Sequence, residues 1–215
     1  MEDNYFDIRL SNEARRSHIW KELAPFIQSK YMPDCDSIID LGAGQCFFAN
    51  NVKDCLVLAV DANPDLIRFA NPNVATLVTD CLSLDEKVDR KFDGVFASNF
   101  FEHLEKHDVP KILKQLSGIL VSGGRLVVLQ PNFGLRPKQY FDDYTHLSIW
   151  TDVSFRDQLR ALGWSVVTVH RRFLPLTVKN RIPYPLPRFL MRMYLHLPFK
   201  FLAGQMLIVA EWNEV

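Results

Sequence analysis

Ser37-Ile38-Ile39-Asp40-Leu41-Gly42-Ala43-Gly44 is the stretch on which the fold of this chain turns. A short, nearly continuous apolar run reads as a strand covered on both faces, which is the habit of a parallel sheet. The glycines that end it let the backbone bend sharply and leave no Cβ in the way of an approaching group. In open α/β sheets, ligands bind beyond the carboxyl ends of the strands where the strand order reverses, and this turn is predicted to lie there. Outward from it the pattern repeats. Apolar runs at 56–60, 74–78, 92–97 and 125–130 predict four more strands, and 164–173 and 205–212 two others. Between them, helices are predicted at 46–52, from Asn63-Pro64 onward, at 109–120 with Gly123-Gly124 as its stop, and at 151–162 from a Thr151 or Asp152 cap to Gly163. Ile19, Trp20, Leu23, Phe26 and Ile27 recur at helical spacing within 11–31. Strands alternating with helices predict an α/β, Rossmann-like, doubly wound and mostly parallel sheet. A single domain is expected over 1–215, with an N-terminal lid helix within 1–32 and a basic apolar insertion at 174–203 before the last strand.

The composition agrees with one globular core. The chain has 215 residues, 48% of them apolar, which excludes a disordered or collagen-like protein. No run approaches the roughly 18 uncharged apolar residues of a membrane span. The start, MEDNYFDIRL, lacks the apolar centre of a signal peptide. Four cysteines, Cys35, Cys46, Cys55 and Cys81, lack CxxC pairing and zinc-ligand spacing, so buried reduced thiols and a cytoplasmic setting are expected. Net charge is zero but unevenly spread. From Arg171 to Lys200 there are seven basic residues and no acid, leaving 18 basic residues against all 25 acids elsewhere.

Acidic residues follow the first three strands in order. Asp61 ends the second, in Val60-Asp61-Ala62-Asn63-Pro64, where a carboxylate can accept both hydroxyls of an adenosine ribose. Asp80-Cys81 follows the third and is placed to meet an adenine edge. The third glycine of a dinucleotide fingerprint is missing, with Cys46 and Phe47 at the two positions it would take, and this favours a cofactor without phosphates. Taken in order, SIIDLGAGQCFF (37–48), LAVDANPD (58–65), VTDCLSLD (78–85), FDGVFASNFFEHL (92–104) and LVSGGRLVVLQPN (120–132) resemble the motifs of class I S-adenosylmethionine-dependent methyltransferases of the type 11/12 group. The resemblance covers roughly 33–132. It implies S-adenosyl-L-methionine as cofactor, with Asp40, Gly42, Ala43 and Gly44 at the methionine end and Asp61 with Ala62 at the ribose. It further implies that Asp80 and Cys81 flank the adenine, and that Asn99 and Phe100 border the sulfonium. Cys46, at the last motif glycine, departs from the pattern.

Asn99-Phe100-Phe101-Glu102-His103 resembles a segment that reads ExxEH in some relatives and there holds a divalent ion. With Asn99 in place of the first acid the ligand set is incomplete, and no metal is expected. Methyl transfer to a hydroxyl needs alignment and removal of a proton. His146, with an unperturbed pKa near 6.5, is the candidate base, oriented by Asp142 or Asp143. Asp142-x-x-x-His146 also looks like a signature of glycan-linked relatives. His107, His170 and His196 read as surface or packing residues.

Arg188, Arg192, His196 and Lys200 recur every four residues among Phe189, Leu190, Met193, Tyr194 and Leu197, which on a helix makes a basic stripe beside an apolar face. Such a segment is expected to meet a membrane interface, close over the substrate, bind a phosphate-bearing acceptor or pack on the sheet, with peripheral membrane contact through 181–202 at the inner face of a membrane among these. The type 11/12 resemblance implies a small-molecule, glycan- or lipid-linked acceptor, with O-methylation expected. Nucleic acid is not expected, since no recognised RNA module is present. The sequence leaves two rivals: an NAD(P)-dependent oxidoreductase with the same ribose acid, and a methyltransferase-like protein that only binds.

Overall fold

A computed structural model describes residues 13–175 and 188–214, with side chains from residue 16 onward. Seven strands form one sheet: β1 (Ser37–Leu41), β2 (Leu56–Asp61), β3 (Ala75–Val78), β4 (Phe92–Ser98), β5 (Leu120–Pro131), β6 (Ser165–Pro175) and β7 (Ala203–Trp212). Their order is β3-β2-β1-β4-β5-β7-β6. The first five are parallel, and β7 runs antiparallel to both β5 and β6. The sheet reverses between β1 and β4, as the position of the glycine turn predicts.

Adjacent residues on the central strands serve opposite cores, because side chains alternate across a sheet. Ile38, Phe96, Val127 and Leu207 join Leu23 and Ile27 of helix α1 (Glu13–Tyr31) on one face. Their neighbours Ile39, Val95, Val128 and Ile208 join Leu113 and Leu116 on the other, with Phe155. Helices α2 (Leu66–Phe69) and α3 (Leu84–Lys87) are short, while the longer α4 (Val109–Ile119) matches its expected bounds to within a residue. A one-turn helix α5 (Pro137–Tyr140) sits in the loop after β5, and α6 (Asp152–Ala161) begins at a Thr151–Ser154 capping box. The lid expected within 1–32 is described only from residue 13, and that part is built into the core: Trp20 meets the edges of Phe48 and Phe96.

Two local expectations fail for physical reasons. Residues 46–52 form turns and a single 3-10 turn (Ala49–Asn51), since Cys46 takes the left-handed φ of +55°, which an α-helix cannot include. The helix expected after Asn63-Pro64, by contrast, is present as Leu66–Phe69. Gly123-Gly124 do not stop α4; the chain is already extended at Leu120, and both glycines lie inside β5.

Of the insertion expected at 174–203, residues 174–175 belong to the end of β6 and the description resumes at residue 188; residues 181–187 of the membrane segment lie outside the described residues. Helix α7 (Arg188–His196) packs on α1, burying Met191 and Leu195. Its basic stripe does not stand free. Arg188 and Arg192 both bridge the buried carboxylate of Glu22, at 2.7 Å each. Burial works against the Glu22 charge, but the hydrogen bonds and charges of Arg192 and Arg188 prevail and hold its pKa below the usual range. Lys200 donates to the carbonyls of Tyr194 and Leu195, closing the carboxyl end of α7. Beside the exposed Arg188, Arg192 and His196, α7 and the turn after it leave large apolar side chains in the open: Phe189, Met193, Phe199, Phe201 and Leu202.

Candidate active site

The carboxyl ends of β3, β2, β1 and β4, neighbours in that order, present most of the residues singled out from sequence along one accessible strip. Gly42, Ala43 and Gly44 are partly exposed, as are Asp61, Cys81 and Phe100, while Ala62, Asp80 and Asn99 are exposed. Gly42 and Gly44 have φ of +67° and +52°, the left-handed region that glycine enters without strain. The Gly42 and Ala43 amides donate to the Val60 carbonyl, tying the turn to the tip of β2. From that tip Asp61 returns two hydrogen bonds: Oδ2 accepts from the Gly44 amide at 2.8 Å and Oδ1 from the Asn63 amide at 2.9 Å. A carboxylate has about four acceptor positions, so a partly exposed Asp61 keeps lone pairs for the hydroxyls of a nucleoside.

Several of the residues singled out from sequence do structural work. Asp40 lies beneath the turn at 3% exposure, and its Oδ2 accepts from the Ala49 amide at 3.1 Å. Burial pushes its pKa up to about 7, against the Ala49 hydrogen bond and with help from the Asp61 charge. It anchors the turn and does not line the strip. Gly42 is bare for a reason beyond ligand approach: a Cβ there would collide with the ring of Phe100. Asp80 caps the turn Cys81–Ser83 by accepting from the Leu82 amide. Burial, then the Asp80 charge, pushes the Cys81 thiol up to about 12, so it stays protonated.

Asn99 has a φ of +49°, which asparagine tolerates better than most residues, and its Oδ1 accepts from Gln205 Nε2 at 2.7 Å. The next turn, Phe101–His103, carries Glu102 fully buried. The loop after β5 docks on that turn. The Leu147 and Ser148 amides donate to the Glu102 carbonyl, and Ser148 Oγ donates to the Phe101 carbonyl. This brings the half-buried His146 ring to 4.9 Å from His103 and 4.8 Å from Tyr140, centroid to centroid. Tyr140 donates to the Ser148 carbonyl, and burial, then the Glu102 charge, raises its pKa well above the ordinary phenol value. Asp143 Oδ1 accepts from Thr145 Oγ1 at 2.7 Å, and Thr145 in turn contacts His103. Asp142 is exposed on the same loop.

Sequence reasoning named His146 and set Glu102 and His103 aside; the structure groups all three. It also missed Gln130 and Gln205. Gln130, the last residue but one of β5, is fully buried and has neither amide atom hydrogen-bonded among the described residues. A glutamine closing an otherwise apolar strand was the available signal. Of the histidines set aside, His170 bonds Tyr31, His196 meets the edge of Phe26 and His107 lies near Asp108, as packing and surface roles require.

Comparison with known proteins gives one family. A methyltransferase-domain model matches residues 12–169. No curated protein matches the chain. Among solved structures, the chain is similar to an S-adenosylmethionine-dependent methyltransferase from Archaeoglobus fulgidus, at a TM-score of 0.74 and 20% identity over 97% of this chain and 100% of that one. It is similar to the putative methyltransferase of Haloferax volcanii solved with the Trm112 activator, at 0.68 and 13% over 98% and 97%. It is also similar to the N-methyltransferase NodS of Bradyrhizobium japonicum with bound S-adenosyl-L-homocysteine, at 0.62 and 13% over 100% and 94%. At these identities the likeness establishes the fold, while the domain match spans most of the chain. The chain therefore belongs to the methyltransferase-domain family and carries the class I fold of S-adenosylmethionine-dependent methyltransferases.

Proposed function

We propose that the protein transfers the methyl group of S-adenosylmethionine to a hydroxyl oxygen of a small-molecule, glycan- or lipid-linked acceptor. The observation that carries this is the pairing of two features at one edge of the sheet. Asp61 stands partly exposed at the tip of β2 beside the open Gly42–Gly44 turn, and imidazoles lie past Asn99, beyond β4. Asp61 would hold the ribose, Gly42 and Gly44 the methionine end, Asp80 and Cys81 the adenine, with Asn99 and Phe100 bordering the reacting carbon. When bound, S-adenosylmethionine supplies an electrophilic methyl group. The protein's part is to align the acceptor and take its proton, and His146 is the base we assign. Its loop is locked onto the Glu102 carbonyl, and Asp143 stiffens that loop through Thr145.

The apolar edge at Phe199, Phe201 and Leu202 supports a lipid-linked acceptor and peripheral contact with a membrane. This edge adjoins the strip, since Arg136 donates to the Leu202 carbonyl and Gln205 to Asn99. No helix among the described residues is long and apolar enough to cross a membrane. Because the α7 arginines are committed to Glu22, contact would rest on apolar insertion more than on charge. The test is release of S-adenosylhomocysteine from pooled acceptors, lipid extracts included. Turnover with a hydroxyl-bearing fraction, lost in His146→Ala, is expected. Binding of S-adenosylhomocysteine with no turnover from any pool overturns the proposal.

A further inference from the structure

Gln205, near the start of β7, donates from Nε2 to Asn99 Oδ1 at 2.7 Å, across 106 residues of chain. We infer that Gln205 is a positioning residue for methyl transfer: it holds the Asn99 carboxamide oxygen at the border of the sulfonium, and through it favours S-adenosylmethionine over S-adenosylhomocysteine. The inference rests on the methyl-transfer reading, which puts Asn99 beside the reacting carbon.

The argument begins with the backbone. Asn99 follows β4 at a φ of +49°, a conformation that a residue with a side chain keeps only where its surroundings over-determine it. Here they do. The Asn99 amide donates to the Leu129 carbonyl at 2.8 Å, which ties it to β5, and Asn99 Nδ2 donates to Ser98 Oγ at 3.0 Å. Gln205 supplies the third restraint, from a strand that runs antiparallel to β5. It is 9% exposed and stands opposite Pro131 in the ladder, so its own side chain has little room to turn. Asn99 itself remains exposed. The contact therefore orients an accessible group, and strain held in place by its neighbours is characteristic of working sites.

The chemistry follows from the oxygen. A carbonyl oxygen has two lone pairs, and Gln205 engages one, leaving the second for a ligand. The hydrogens on carbons bonded to a sulfonium are polarised by its charge, so their C–H···O contacts are stronger than those of a neutral thioether. S-adenosylmethionine brings that charge and the methyl hydrogens. S-adenosylhomocysteine is neutral at sulfur and has no methyl group there. An oxygen fixed at this border thus discriminates between the two. A carboxamide able to rotate would offer its N–H donors to the same charge and lose the preference. Gln205 makes and breaks no bond in the reaction; it acts through Asn99.

The test uses the full chain, titrated calorimetrically with S-adenosylmethionine and with S-adenosylhomocysteine. Gln205→Met keeps the length of the side chain and removes its donor. The ratio of the two dissociation constants should move toward S-adenosylhomocysteine by about 3- to 10-fold, chiefly through weaker binding of S-adenosylmethionine. Gln205→Leu should give the same shift and serves if the first variant fails to fold. A purely structural role would weaken both ligands by the same factor and leave the ratio alone. Asn99→Gly suits the left-handed backbone and removes the oxygen, so adding Gln205→Met to it should not move the ratio further. A ratio unchanged in both Gln205 variants overturns the inference, as does a shift of full size in the Asn99→Gly background. If the wild type binds both ligands while the ratio stays fixed, the role of Gln205 falls and methyl transfer stands. A wild type that binds neither ligand removes the methyl-transfer reading, and this inference with it.

Discussion

Replacing Asp61 with alanine tests the residue proposed to hold the cofactor's ribose. The change removes two charge-assisted hydrogen bonds, to the Gly44 and Asn63 amides at 2.8 and 2.9 Å. Such bonds contribute about 1.5–3 kcal/mol each when buried. Asp61 is only partly exposed to protein shielding, and its freed amides can reach water, so a stability loss of about 2–3 kcal/mol in total is expected from urea unfolding. If Asp61 holds two ribose hydroxyls as proposed, loss of that bidentate contact removes about 3 kcal/mol more from binding, or about 10²-fold in Kd. Isothermal titration calorimetry with S-adenosylhomocysteine, well below the melting point of the variant, separates the two effects. Asp61→Asn should fall between, because an amide can accept one of the two backbone bonds but turns a donor toward the other. Asp80→Asn, at an exposed cap, should change stability by less than about 1 kcal/mol. An Asp61→Ala protein that binds S-adenosylhomocysteine as tightly as wild type would refute the assignment.

Two further substitutions test the ground beneath the strip. Gly42→Ala meets both a φ of +67° and the Phe100 ring, at costs of about 1–2 and 1–3 kcal/mol; adding Phe100→Ala should recover the second part only, and equal costs in both backgrounds would count against the packing account. Asp40 holds its proton more tightly folded than unfolded, so it takes stability away as pH rises from near 3.8 to about 7 and no further. Asp40→Asn should therefore gain about 2–3 kcal/mol on wild type between pH 5 and pH 8 in urea titrations. A gap that does not change with pH would mean that Asp40 ionises freely in the fold.

Much of the site was legible because its signals are local. Gly42 and Gly44 announce a turn by what they lack, and Asp61 announces a strand tip by ending an apolar run. Cys46 shows the limit of that reasoning. Its buried side chain looks like a helix residue, but its left-handed backbone is fixed by the turn around it. Arg188 and Arg192 show another. Helical spacing put them on one stripe correctly, yet which way the stripe faces was settled by Glu22, a buried acid on a helix from the other end of the chain.

By itself, the sequence determined the alternating strands and helices, the bend after β1 and the order of acids along the strand tips. These follow from periodicity and from backbone preferences that act within a few residues. Tertiary structure alone decided that Phe100 fills the space Gly42 leaves, that Asp40 is an anchor, and that His146 joins Glu102 and His103. The reason is that such contacts depend on which distant side chains a closed core forces together. A buried charge or an open Cα has no meaning until its neighbours are in place.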